Sequence, residues 1–123
     1  MVSKGGRLVP GPKAHQIARR LREGDEVAGF KVLLTPGHSP GHVSYWRESD
    51  RTLLSGDVMW GTNPFLMRGP IREPFPIVSP DPKLNRESAR RIAALEPALV
   101  CFGHGPPLRN PAKLTAAVAK LPN

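Results

Sequence analysis

Two histidines lie four residues apart in the segment TPGHSPGHVSY, and imidazole rings suit both metal binding and acid–base chemistry. On a helix, this spacing would place His38 and His42 on one face, as in helical zinc motifs. Pro40 lies between them and a glycine precedes each of them, so a helix is excluded. The segment is therefore predicted to be a strand, a tight loop that carries His38, and a second strand.

Two further candidate ligands follow apolar runs later in the chain. Asp57 comes after LLSG, and His104 comes after LVCFG, so that each of the three residues adjoins a glycine. Glycine lets the backbone turn beside a bound ion without crowding from a Cβ atom. Two imidazoles and a carboxylate suit zinc, iron or manganese, and such an ion would supply a hydroxide nucleophile from bound water near neutral pH. Each residue alone also fits a structural role in a turn, but three at strand ends favour a metal site.

The elements that must position these residues follow from the apolar pattern and the turn residues. The predicted order is β-β-β, long loop, α, β, α, in one domain over residues 1–123 with a loose leader at 1–12. The last predicted strand is a continuous apolar run, typical of a strand buried on both faces. The predicted strands cover residues 27–34, 43–47, 52–55 and 98–102, and the predicted helices cover 12–22, 82–96 and a segment from 111 onward.

The predicted loop at residues 58–82 is rich in proline and in large apolar side chains. A long loop of this composition usually lies over a site or packs under the domain. Trp60, Phe65 and Phe75 are candidates for the wall of a pocket, and core packing would explain them equally well.

The composition limits the classes of partner. The chain has 123 residues, enough for one small domain, and 18 Lys and Arg against 10 acidic residues give a net charge of +8. That excess raises the question of a polyanionic partner. The basic residues are scattered, however, and no interleaving with aromatic residues marks a stacking platform. The pattern favours a solvated basic surface over a nucleic-acid interface.

A single cysteine, Cys101, excludes an intrachain disulfide and fits a reducing compartment. It lies in an apolar run, where a buried structural thiol is expected. The first residues have no apolar stretch of signal-peptide length, and no segment approaches the length needed to cross a membrane. The sequence predicts a cytoplasmic protein without a membrane partner.

Three segments, TPGHSPGHVSY, LLSGDV and VCFGHGPPL, resemble in this order the later motifs of the metallo-β-lactamase-fold hydrolases. The resemblance covers roughly residues 20–110. It implies that His38 binds a first metal, that His104 binds a second, and that Asp57 bridges the two and is the candidate catalytic residue. It implies a supporting role for His42. The implied cofactor is one or two zinc ions, with iron or manganese as alternatives.

The chain departs from this family at one main point. The family's HxHxDH motif lies upstream of the PGH loop, whereas the only histidine before His38 in this chain is His15. Without that motif each metal keeps two protein ligands, fewer than the three typical of catalytic zinc. The sequence therefore predicts an α/β chain that forms the C-terminal half of an αββα sandwich. Such a half would expose an apolar sheet face, which is typical of an interaction surface.

Several functions follow from these observations. The first is a hydrolase in which a metal-bound hydroxide attacks an ester, thioester, lactone or amide bond of a small molecule, completed by ligands from another chain or a longer parent protein. The second is a non-catalytic half domain that forms a homodimer or pairs with a complementing chain through the exposed sheet face. The third, suggested by the net charge, is a nucleic-acid-processing member of the family. An iron oxygenase is a further alternative, because two histidines and one carboxylate also form an iron triad.

Overall fold

A five-stranded sheet forms the centre of the computed structural model, which describes residue 11 and residues 13–123. The strand order is β1-β2-β3-β4-β5; the first four strands pair antiparallel, and β5 runs parallel to β4 because a helix connects them. A 3₁₀ turn at Pro76–Val78 lies in the long loop. The strands are β1 (Glu26–Val27), β2 (Phe30–Leu34), β3 (Val43–Arg47), β4 (Thr52–Gly56) and β5 (Leu99–Phe102), and the helices are α1 (Pro82–Ala93) and α2 (Pro111–Ala119).

The predicted strand at 27–34 is interrupted by a tight turn. Ala28 and Gly29 have φ values of 51° and 83°, the positive φ pair of the two-residue hairpin turns that match the twist of a sheet. The turn therefore divides the predicted strand into the end of β1 and β2. Sequence periodicity alone did not show this turn, because the apolar pattern continues across it.

The predicted helix at 12–22 is wrong for the part that the structure describes, since residues 13–22 contain no helix. The prediction depended on Ile17 and Leu21, four residues apart, and Ile17 is 71% exposed. A short helix needs tertiary packing of an apolar face to be stable, and of the two apolar residues spaced for such a face only Leu21 is half-buried. The predicted leader at 1–12 lies outside the described residues except for residue 11, and the division into one domain stays a prediction.

Both helices begin at side-chain caps. The Asp81 carboxylate accepts a hydrogen bond from the backbone N–H of Leu84, at 3.0 Å, and the Asn110 side chain accepts one from Ala112. The helix α1 ends at Ala93, three residues before the predicted end. Its buried residues are Asn85, Ser88, Ala89, Ile92 and Ala93.

The hydrophobic core lies between one face of the sheet and the two helices. Leu33, Trp46, Leu53 and Val100 provide the sheet side of this core, and the helices contribute Ala89, Ile92, Leu114 and Val118. Each helix thus packs on the same face. In the part of the chain that is described, no helix is long and apolar enough to cross a membrane.

The opposite sheet face carries Tyr45, Leu54 and Cys101, which pair across three adjacent strands. Their side chains are half-buried rather than exposed, and Val32 on the same face is fully buried, so the expected bare apolar face is only partly present. The strand β5 lies at the edge of the sheet and, apart from Val100, is half-buried. The prediction that it is buried on both faces is therefore wrong, because the helices cover only the face that carries Val100 and leave Cys101, on the other face, half-buried.

Candidate metal centre

The three predicted ligands meet at one edge of the sheet. His38 follows β2, Asp57 follows β4, and His104 follows β5. These strands all run in the same direction, since β3 is antiparallel to both β2 and β4 and β5 is parallel to β4. Their carboxyl ends therefore lie side by side. The three residues line a single cavity of about 400 Å³.

The Asp57 carboxylate lies between the two histidines. Its Oδ2 is 3.6 Å from Nε2 of His38, and its Oδ1 is 2.8 Å from Nδ1 of His104. The Oδ1 atom also accepts a hydrogen bond of 3.2 Å from the indole Nε1 of Trp60. The two histidines thus face different oxygens of one carboxylate, so the geometry separates two half-sites.

Nε2 of His38 and Oδ2 of Asp57 are the two donor atoms of one half-site, whereas Nδ1 of His104 and Oδ1 of Asp57 are hydrogen-bonded to each other. Among residues 11 and 13–123, no group of three or more histidine, cysteine, aspartate or glutamate side chains is placed to hold one ion. The three candidate ligands do not form such a group because His38 and His104 face different oxygens of the Asp57 carboxylate. Two donors of one tetrahedral zinc ion lie about 3.4 Å apart, given zinc–ligand bonds of about 2.1 Å, and the distance from His38 to Asp57 is close to that value.

The His38 ring fits a metal-binding role because its nitrogens lack protein partners within the described residues. Its Nδ1 atom is buried without a hydrogen-bond partner, and its Nε2 atom is too far from Asp57 for a hydrogen bond. Nε2 is the nitrogen that faces the Asp57 carboxylate, so it is the ring atom placed to share an ion with Oδ2. A nitrogen and oxygen donor set of this kind suits zinc or iron.

His42 does not face the cavity as a ligand but holds the backbone of Asp57. Its Nε2 atom accepts the Asp57 backbone N–H at 2.9 Å, so Nδ1 carries the proton and donates to the Thr35 hydroxyl at 2.9 Å. That hydroxyl donates to Ser44 Oγ at 2.9 Å, which donates to the Ser55 carbonyl oxygen at 3.2 Å. Burial lowers the pKa of His42, which favours the neutral ring that this arrangement needs. The geometry agrees with the interpretation of His42 as loop support.

Two glycines permit the close approach of these groups. A Cβ atom at Gly56 would lie 2.6 Å from His42 Nε2, and the φ of Gly56 is +57°. A Cβ atom at Gly103 would overlap Oδ1 of Asp57 and lie 3.1 Å from its Cγ. A side chain at either position would therefore displace a group of the centre.

The amino-terminal half of α1 supports the His38 loop, and sequence reasoning missed this contribution. A Cβ atom at Gly37 would come within 2.6 Å of Asn85 Cβ, so the loop and the helix are in direct contact. The Ser88 hydroxyl donates to the Pro36 carbonyl oxygen at 2.7 Å, and Asn85 Nδ2 donates to Val58 at 2.9 Å. The only signal in the sequence is that polar residues fall on the buried stripe of a helix.

Apolar and aromatic residues form the rest of the cavity wall. Trp60 is 3% exposed and packs edge-on against His104, with ring centres 5.5 Å apart. Phe65 and Val78 also line the cavity, whereas Phe75 lies behind it, stacked on Phe65 at 5.8 Å. Of the three residues suggested for the wall, two line the cavity and Phe75 supports them. Val78 was not foreseen.

A larger cavity, of about 680 Å³, lies elsewhere, between Ile71, Leu108 and Leu121. None of the three candidate ligands lines it. Its size alone assigns it no chemistry, because the groups that could bind an ion or move a proton meet at the other cavity.

The model of the metallo-beta-lactamase superfamily matches residues 4–104 of this sequence. The chain belongs to this superfamily. The predicted mixed α/β fold is confirmed, since the solved structure of TTHA1623 in a di-iron-bound form superposes with a TM-score of 0.68 and 33% identity, over 86% of this chain and 50% of that one.

Curated relatives of the chain include metallo-hydrolases. The probable metallo-hydrolase YybB of Bacillus subtilis is 44% identical over 76 residues, which are 62% of this chain and 32% of YybB. An N-acyl homoserine lactonase of Bacillus thuringiensis is 32% identical over 90 residues, which are 69% of this chain and 35% of the lactonase. The chain thus spans about a third of the length of these relatives.

Proposed function

We propose that this chain provides His38, Asp57 and His104 to the metal centre of a hydrolase that cleaves an ester, thioester, lactone or amide bond of a small molecule. The observation that carries the proposal is the placement of two histidines on opposite oxygens of the Asp57 carboxylate. The names of the relatives, which include metallo-hydrolases and a lactonase, support the class of reaction.

Different residues of the chain would bind the ion and hold the Asp57 carboxylate in place. A bound zinc or iron ion would supply Lewis acidity and lower the pKa of a water molecule. Trp60 and His104 hold the Asp57 carboxylate from one side, and His42 holds its backbone N–H. Because catalytic zinc usually has three protein donors and no such group is found among the described residues, we propose that the remaining donors come from another chain or a longer parent protein.

Metal content tests this proposal directly. Wild-type protein equilibrated with zinc by dialysis should bind the metal weakly, unless a partner completes the site, and the double variant His38→Ala, His104→Ala should bind much less. The variant His15→Ala is the matched control, because it removes an exposed histidine far from the centre in sequence. Equal zinc content in the wild type and the double variant, measured by elemental analysis, would refute the assignment. Parallel incubation with iron and manganese ranks the three metals.

A second candidate function rests on the sheet face that the helices leave uncovered. Tyr45, Leu54 and Cys101 are half-buried there, on the face opposite both helices. We propose that a second copy of the chain, or a complementing chain, packs on this face. Sedimentation analysis should then show self-association that Tyr45→Lys weakens, and a monomer at all concentrations argues against a homodimer.

A further inference from the structure

A cluster of exposed apolar side chains lies beside the candidate metal centre. Within the described residues, seven large apolar side chains are strongly exposed, and five of them come from two neighbouring loops. These five, here called the apolar collar, are Phe65 (75% exposed), Leu66 (61%), Met67 (80%), Ile77 (92%) and Val78 (41%). Exposed apolar groups concentrated in one place usually mark a binding site, and two of the five, Phe65 and Val78, line the cavity of the candidate metal centre.

The first loop of the collar has a defined conformation. The Asn63 side-chain oxygen accepts hydrogen bonds from the backbone N–H groups of Phe65 and Leu66, at 3.0 and 3.2 Å. The Asn63 N–H donates to the carbonyl oxygen of Arg68 at 3.1 Å, and Met67 has a left-handed φ of 53°. The loop is thus a hydrogen-bonded turn that presents apolar groups to solvent.

The ring of Phe65 is held in place from behind. It stacks on Phe75, whose other contacts are the ring of Trp60 at 5.4 Å and the guanidinium of Arg72 at 3.9 Å. This series of contacts connects the collar to the indole that hydrogen-bonds Asp57. A ligand against Phe65 would therefore lie in the cavity that Asp57 also lines.

The cavity has both polar and apolar lining residues. His38, Asp57 and His104 are the polar ones, and Pro64, Phe65 and Val78 are apolar. Its volume of about 400 Å³ falls in the range of small-molecule sites, roughly 300–1,000 Å³. Among the described residues that line it there is no lysine or arginine. A phosphate or another polyanion would find no basic side chain at this wall, in spite of the positive net charge of the chain.

We propose that the substrate carries an apolar acyl arm, which lies against Phe65 and Val78 while the bond to be cleaved lies at His38, Asp57 and His104. The proposal rests on the hydrolase function proposed above and specifies its substrate class. It makes Phe65 and Val78 specificity-determining residues. Ile77, which is in the collar but does not line the cavity, has no such role.

The two tryptophans allow a binding test that does not depend on turnover. Trp60 lines the cavity, whereas Trp46 lies toward the opposite edge of the sheet, where its indole donates to Glu48, and serves as an internal reference. The neutral probe octanamide, titrated into the ¹⁵N-labelled full chain, should shift the indole N–H signal of Trp60 saturably and leave that of Trp46 unchanged. Acetamide, which lacks the apolar arm, should shift neither signal at the same concentrations.

Two exposed positions give matched variants that should both fold, since surface substitutions change stability little. Phe65→Ser should weaken octanamide binding about tenfold, which corresponds to about 1.4 kcal/mol, and Ile77→Ser should change it less than twofold. The proposal is wrong if Trp60 shows no saturable shift or if both variants weaken binding equally. It is also wrong if the Trp60 signal moves on dilution without probe, because the collar would then be an interface between copies.

The same titration separates this proposal from the proposed hydrolase function. The wild-type chain could bind octanamide and yet contain no more zinc than the His38→Ala, His104→Ala variant. That result would support the apolar binding wall and refute the metal centre. Zinc binding without octanamide binding would support the metal centre and refute the proposal of an apolar acyl arm.

Discussion

The substitution Gly103→Ala tests whether the position of the Asp57 carboxylate matters for metal binding. The new Cβ atom would come closer than 3.0 Å to Asp57 Oδ1, whereas an ordinary contact begins at 3.4 Å. To restore an ordinary contact, the Asp57 carboxylate must therefore move away from the new Cβ atom by more than 0.4 Å. A shift of this size disturbs the hydrogen bonds that Oδ1 accepts from His104 and Trp60, at 2.8 and 3.2 Å.

The expected loss of zinc affinity is about 10- to 100-fold, the range seen when the partners that orient a metal ligand are altered. The stability cost should stay below the 1–3 kcal/mol or so typical of overpacking a closed core, because Gly103 lies at the exposed edge of the site. Affinity would be measured by competition with a zinc chelator, and stability by urea unfolding of the same preparations.

Gly41→Ala is the matched control, because a Cβ atom there meets nothing within 4 Å and the residue lies in the same loop as His38. It should leave zinc affinity unchanged. If Gly103→Ala binds zinc as tightly as the wild type, Asp57 is not a ligand in the position that the structure gives it. Equal losses in both glycine variants would point to backbone effects and would also contradict the reasoning.

Two further predictions concern stability. His42→Phe leaves the Asp57 backbone N–H without its acceptor and should lower the free energy of unfolding by about 1–3 kcal/mol. Urea titrations measure this loss, with His15→Phe as the control. His42→Gln should recover part of the lost stability. Arg91 hydrogen-bonds Glu23 and lowers the pKa of this carboxyl below its ordinary 4.5, so the pair should stabilise the fold at higher pH and lose that effect as the pH falls below 4.5. Glu23→Gln should remove this pH dependence, worth up to about 1 kcal/mol for so exposed a pair; an unchanged pH profile would contradict it.

Local chemistry made much of the fold predictable. The strands at 43–47 and 52–55 and the start of α1 at Asp81 were predicted nearly to the residue, because each has its own turn or cap signal next to an apolar run. The helix expected at 12–22 was wrong for the opposite reason, since its stability would have required a tertiary surface to cover Ile17. The edge position of β5 could not be predicted from the sequence either, because it depends on which strands pair with each other in the folded sheet.

The sequence alone determined the candidate donors, which are His38, Asp57 and His104. Residue type, an adjacent glycine and a preceding apolar run are all local properties of the chain. The tertiary structure decided how they are arranged, because these groups are brought together from far apart in the chain. Only the folded chain shows that the two histidines face different oxygens of one carboxylate, and that His42 bonds the Asp57 backbone instead of the cavity. Only the folded chain, too, places Phe65 in the lining of the same cavity as these three residues.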